Sequence, residues 1–151
     1  MIFDRDITSG VYQCAPFSTA LAPSTTSEDH VITDEYDATN KRTYQQIERI
    51  GLAELKIVGI MQQLVWTKGH DPSQLELIIT ASSGTTVSVK LWDTAGTLIV
   101  SSTFVGTGET WATKTYTLTT GVWAQGQPVL LEILYNITTE EWGRLARIAL
   151  T

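Results

Sequence analysis

The sequence contains a single cysteine, Cys14, which excludes an intrachain disulfide and gives no reason to expect an oxidising compartment. No apolar run approaches the roughly 20 residues that a bilayer-spanning helix requires, so no membrane partner is expected. The opening "MIFDRDITSG" carries acids where a secretory leader would be apolar. Histidine occurs only at His30 and His70, and no H-E-x-x-H or C-x-x-C spacing exists. A zinc site takes three or four Cys, His or carboxylate ligands, so no metal is expected, although loop oxygens of Asp71, Asp93 and Asn136 are an alternative set for calcium. The G-x-S-x-G elbow of a serine hydrolase is missing as well. The one adjacent acid pair, Glu140-Glu141, stands in a turn-like segment where neighbouring side chains diverge. The sequence therefore predicts no catalytic residue, no cofactor and no enzyme.

Positive charge is also scarce: ten Lys and Arg stand against 16 Asp and Glu. Phosphate backbones demand clustered cations, and no cluster exists, which argues against a nucleic-acid partner. The acid excess is local. Asp4, Asp6, Glu28, Asp29, Asp34, Glu35 and Asp37 face only Arg5 within residues 1–40, whereas the remainder is balanced. Such a segment suits a basic protein surface or stays solvated.

What the chain has in quantity is β-branched and aromatic side chains. Threonine is abundant, and five Trp, five Tyr and three Phe provide a core. With 151 residues this predicts one all-β domain that needs neither disulfide nor metal. Residues 1–29 lack periodicity and contain Pro16 and Pro23, so they are expected to form an extended N-terminal arm, followed by a sandwich domain over 30–151. Apolar residues Ile2, Phe3, Val11, Tyr12, Phe17 and Leu21 are the arm's candidate anchors.

From His30 onward, alternation dominates. "HVITDEY" and "RTYQQIERI" are candidate strands, with a helix over 41–56 the alternative to the second. "LAELKIVGIMQQLVWT" follows, with Gly59 as an expected bulge or bend. "QLELIIT" and "TVSVKLW" place Leu75, Leu77, Ile79, Val87, Val89 and Leu91 inward. "DTAG" supplies Asp93 and Gly96 for a hairpin turn, and "TLIVSSTF" returns with Leu98, Val100 and Phe104 on one face. "WATKTYTLT", "VLLEILYNI" and "RLARIALT" complete seven or eight strands. Turns every 8–12 residues or so predict a jelly-roll-like, two-sheet antiparallel β-sandwich.

The pattern from "TVSVKLWDTAG" through "WATKTYTLT" and "VLLEILYN" to "RLARIAL" resembles the second half of jelly-roll modules in structural proteins of tailed bacteriophages. Asp93, Gly96, Trp111, Thr113, Leu118, Val129 to Ile133, Arg147, Ile148 and Leu150 carry the match. It is similar also to carbohydrate-binding jelly rolls of some secreted enzymes. The resemblance implies an eight-stranded sandwich and, with the preceding arm, a capsid decoration (cement) protein on the virion's outer capsid surface. That protein would be a homotrimer, would bind the major capsid protein through the arm, and would stabilise the lattice. The alternative is a glycan- or receptor-binding module of a phage fibre or adhesin.

Tryptophans are the other candidate contacts. Trp92, Trp111, Trp123 and Trp142 stand near strand ends or loops, where they either stack on sugars or close the ends of the sandwich. Trp92 and Lys90 both fall on the outward face of their strand and form a candidate exposed contact surface.

Overall fold

The computed structural model describes residues 11–13, 17–19, 30–49, 56–66, 71–118, 121, 123–124, 126, 128–138 and 140–151. Eleven strands, all paired antiparallel, make up the described secondary structure. In chain order these are β1 Val11–Gln13, β2 Phe17–Thr19, β3 His30–Asp37, β4 Arg42–Arg49, β5 Lys56–Trp66 and β6 Gln74–Ala81. They continue with β7 Thr86–Trp92, β8 Leu98–Val105, β9 Ala112–Thr117, β10 Pro128–Ile137 and β11 Trp142–Leu150. One sheet has the order β1-β5-β10-β7-β8, with β2 sharing β1's edge of β5; the other has the order β3-β4-β11-β6-β9. The chain is thus an all-β, two-sheet antiparallel sandwich.

The period-two pattern decides which side chains meet between the sheets. Val87, Val89 and Leu91 of β7 and Val129, Leu131, Ile133 and Tyr135 of β10 face Leu75, Leu77 and Ile79 of β6 and Leu145, Ile148 and Leu150 of β11. Leu64 and Trp66 extend this core from β5, and Ile47 from β4. Each fully buried Leu or Ile contributes about 1.5–3 kcal/mol. The β7–β8 turn forms as its residues dictate. Asp93 accepts backbone N–H bonds from Ala95 at 2.9 Å and Thr97 at 2.8 Å, and Gly96 adopts the left-handed φ of 80°.

Residues 42–49 form strand β4, the first reading of this stretch and not the alternative helix, with Gln45 and Ile47 turned inward and Arg42, Tyr44, Gln46 and Glu48 alternating against them. Three details depart from the sequence reading. No bulge occurs at Gly59: β5 pairs with β10 without interruption from Lys56 to Val65, with Gly59 opposite Leu134. Register shifts fall instead in β11 between Leu145 and Arg147 and in β7 between Leu91 and Trp92, where Leu91 pairs with Val100 but Trp92 with Leu98. That slip leaves Leu98 41% exposed while Val100 is buried. Finally, the strands exceed the expected eight. Part of the excess comes from β1 and β2, which lie within the expected arm and pair with β5 at Leu64–Trp66 and Gly59–Met61.

Candidate ligand-binding surface

A structured polar surface lies on the outward face of the second sheet, at the β3–β4 hairpin. Asp37 organises the hairpin turn. One carboxylate oxygen accepts the backbone N–H groups of Thr39 and Asn40, each at 2.9 Å. The other accepts Asn40 Nδ2 at 2.7 Å and, from the distant β8–β9 loop, Trp111 Nε1 at 2.8 Å. These donors, those of Asn40 foremost and then Trp111, hold the carboxyl well below its ordinary value, at about 2.

Beside the turn, alternation presents a comb of side chains. Register sets Arg144 of β11 opposite Gln46 of β4, and Trp142 opposite Glu48. Arg144 Nε donates to Gln46 Oε1 at 2.6 Å, and Gln46 Nε2 donates to Glu48 Oε2 at 2.9 Å. The Arg144 guanidinium stacks on Trp142 at 3.7 Å from the ring centre, lies 5.2 Å from Tyr44, and forms an ion pair with Glu109 of the β8–β9 loop. Stacking together with planar hydrogen bonding is what guanidinium permits and ammonium does not. Trp111 meets Tyr44 edge to face at 5.3 Å and carries the Arg42 guanidinium over its own ring.

The inward neighbour of Trp142 and Arg144 makes this arrangement possible. Gly143 lies against the Tyr135 ring so closely that a Cβ there would sit 2.3 Å from ring carbons. Only glycine lets β11 approach β10's core tyrosine this closely.

Part of this surface forms an open cleft of about 390 Å³ lined by Tyr36, Asp37, Asn40, Tyr44, Glu109 and Arg144, with Ala38 and Thr39 on the turn. Tyr36 stands at the rim, 60% exposed. The Tyr44 hydroxyl titrates above its usual range, first because it is partly desolvated and then because Glu35, Glu109 and Asp37 surround it, with Arg144 opposing. Rings, a fixed guanidinium and amide and carboxylate oxygens therefore converge on one concavity. Small polar ligands are bound by such a combination.

The contact surface and the arm anchors proposed from sequence lie elsewhere. Lys90 and Trp92 are on the outward face of the first sheet, as alternation predicted, but Lys90 pairs with Glu132 at 3.3 Å and Trp92 is half-buried. Trp123 packs against the hydrophobic core and Trp66 lies within it. Of the candidate arm anchors, Val11 and Tyr12 fall in β1 and Phe17 in β2, whereas Ile2, Phe3 and Leu21 lie outside the described residues, as do Cys14 and His70. Among the described residues no group of three or more His, Cys, Asp or Glu could hold a metal ion. Asp93, offered for calcium, serves the β7–β8 turn. Trp111 and Trp142 are the two sequence candidates that the fold brings to the cleft's surroundings. Tyr36, Asp37, Tyr44 and Arg144 were missed, although the outward series Arg42-Tyr44-Gln46-Glu48 was a readable signal once β4 was accepted as a strand.

No protein-family model and no curated protein sequence matches the chain. Solved structures do. TmCBM61, in complex with β-1,4-galactotriose, superposes with a TM-score of 0.62 at 11% identity, over 89% of this chain and 87% of that one. A structure from work on the carbohydrate-binding modules of the β-sandwich superfamily matches with a TM-score of 0.53 at 11% identity, over 95% of this chain and 57% of that one. The chain shares the fold of β-sandwich carbohydrate-binding modules. A third match is the enzymatically active domain of tailspike protein 4 from bacteriophage CBA120, with a TM-score of 0.56 at 11% identity. It covers 95% of this chain but only 20% of the tailspike.

This module fold overturns the expectation of a capsid decoration protein. The physical reason is plain. Alternation, the Asp93–Gly96 turn and the closing "RIAL" strand are requirements of any such sandwich, so they carried no information about capsid binding. The arm anchors Val11, Tyr12 and Phe17 stand on strands that extend the protein's own first sheet.

Proposed function

We propose that the chain is a non-catalytic glycan-binding module and that the cleft between the β3–β4 hairpin and the β8–β9 loop receives the sugar. The observation that carries this reading is the convergence of Tyr36, Tyr44 and Arg144 with Asp37 and Asn40 around one cleft of about 390 Å³. A pyranose has an apolar C–H face and a rim of hydroxyls. Aromatic rings match the first, and the Arg144 guanidinium, the Glu109 carboxylate and the Asn40 amide oxygen match the second, while Asp37, its lone pairs already engaged, holds the hairpin in place. Arg144 is preorganised: Gln46 and Glu109 each engage one of its five N–H groups, which leaves donors for a ligand hydroxyl. The shared module fold supports the reading further, since TmCBM61 was crystallised with a galactotriose.

Binding without hydrolysis fits the electrostatics. A glycosidase's general acid needs a carboxyl whose pKa is raised. Asp37, held at about 2, is displaced in the opposite direction, and Glu109 is paired with Arg144.

The test is affinity electrophoresis and calorimetry of the full chain against β-1,4-galactan, β-1,4-xylan and arabinan. Binding to at least one is expected, with Tyr44→Ala and Arg144→Ala each weakening it by roughly tenfold or more, about 1.4 kcal/mol. Unchanged circular dichroism would show that these variants fold. No binding to any polysaccharide, or binding indifferent to both substitutions, would overturn the reading.

A further inference from the structure

Resting on that reading, we infer that the cleft takes neutral glycans and rejects acidic ones, with Glu109 as the residue that enforces the choice. Three lining residues are charged, Asp37, Glu109 and Arg144, and the fold sets the last two at different depths. In the ion pair between them the arginine side chain is 15% exposed and the glutamate 76%. The cation lies beneath, against the Trp142 ring at 3.7 Å, while the anion stands forward in solvent. An incoming sugar meets the carboxylate before it meets the guanidinium.

Arg144 is also poorly placed to take an acidic sugar from below. Its Nε donates to Gln46 Oε1 at 2.6 Å and its Nη1 donates to the Glu109 carboxylate. A guanidinium grips a carboxylate best through two parallel bonds from adjacent nitrogens. Each edge of Arg144 that could do so has one nitrogen already engaged. A hydroxyl needs one donor only, but a sugar carboxylate would have to displace Glu109 or lie beside it. Arg42 does not compensate, since its guanidinium lies over the Trp111 ring at 5.3 Å, and neither it nor Lys41 lines the cleft.

The other charges at the cleft act in the same direction. Asp37, held at about 2, stays ionised, and its oxygens are occupied by Thr39, Asn40 and Trp111 without its charge being cancelled. Tyr44 reports the local field: beyond desolvation, Arg144 lowers the titration of its hydroxyl, and three carboxylates, Glu35, Glu109 and Asp37, raise it. A neutral sugar can donate a hydroxyl to the exposed Glu109. An anionic one meets like charge with no partner of its own, and repulsion of that kind is how a surface refuses a ligand.

Calorimetry of the full chain tests this on whichever of β-1,4-galactan, β-1,4-xylan and arabinan it binds, prepared as hydroxyethyl and carboxymethyl derivatives of equal, low substitution. The added groups are similar in size, one neutral and one anionic. At low salt the carboxymethyl polymer is expected to bind about fivefold or more weaker than the hydroxyethyl one. The gap should shrink toward about 1 M salt, where screening acts within about 3 Å. Glu109→Gln should narrow the low-salt gap by about threefold or more, whatever it does to binding of the neutral polymer. Glu140→Gln removes the same charge just before β11, whose first residue pairs with Glu48 at the end of β4 away from the hairpin turn, and should leave the gap as in the native chain. Equal binding of the two derivatives would overturn the selection and leave glycan binding intact. A gap unmoved by Glu109→Gln, or moved as far by Glu140→Gln, would overturn the role of the cleft and assign the selection to the chain's net charge of −6. Failure to bind all three polymers would remove both readings.

Discussion

Two residues at the centre of the sandwich carry opposite lessons about packing. The Tyr135 hydroxyl is fully buried with no hydrogen-bond partner among the described residues, and burial pushes its titration upward. An orphaned buried hydroxyl has already lost its water bonds. Tyr135→Phe is therefore expected to leave stability unchanged or raise it, by up to about 1–2 kcal/mol on the usual scale for such groups. Gly143→Ala does the reverse. The added methyl would meet the Tyr135 ring at 2.3 Å, and overpacking of this kind destabilises by about 1–3 kcal/mol. Urea unfolding of the two single variants checks both signs. Combining them should give no relief, because the ring and not the hydroxyl is what Gly143 touches.

Asp37 makes a prediction at the same scale. Its carboxyl is held at about 2, below the ordinary 3.8, so the folded state favours the charged form. A depressed pKa contributes stability that is complete above the unfolded value and is lost as pH falls through the folded one. The melting temperature of the native chain should accordingly exceed that of Asp37→Asn by a constant margin from neutral pH down to about pH 4. The margin should then close toward about pH 2. A gap that persists undiminished at the acid end would mean that charge on Asp37 does not hold the hairpin to Trp111.

At the scale of elements, strands with one fully buried face were legible from sequence and the ligand surface was not. The faces of β6, β7 and β10 follow from alternation because every second residue is apolar and buried. β4 was harder to read: Tyr44, Ile47 and Ile50 sit at helical spacing, and pairing with β3 and β11 is what makes residues 42–49 a strand. The cleft depended on that pairing. Tyr44 and Arg144 are far apart in sequence and become neighbours only through the β4–β11 register, and Trp111 reaches Asp37 only because its loop crosses back toward the hairpin. Tryptophan attracted attention for its size, yet Trp66 and Trp123 spend that size on the core. The useful signal was a modest one, an arginine two residues after a tryptophan on an outward-facing strand. The capsid reading failed for a related reason, since turn and strand chemistry shared by many sandwiches was taken as a sign of one role.

The whole molecule raises the question of what residues 1–29 do if they do not reach for a capsid. Two short strands from this segment, β1 and β2, pair along the edge of β5 opposite the one used by β10. An uncovered strand edge displays free N–H and C=O groups and invites pairing with another chain. We propose that this segment caps the first sheet, and that residues 30–151 form a domain able to fold without it. The domain retains the ten-pair ladder between β5 and β10 and the core between the sheets, so a chain of residues 30–151 should keep its β-sheet circular dichroism. It should lose only a few degrees in melting temperature, as expected from about 1 kcal/mol in a domain of this size. With the β5 edge bare, it should self-associate where the full chain does not, and light scattering of both chains over a concentration series would show this. Its affinity for the glycan should not change, because the cleft belongs to the other sheet and the β8–β9 loop. Loss of sheet structure on truncation would make the segment an integral part of the fold, and a truncated chain that scatters like the full one would deny it the role of an edge cap.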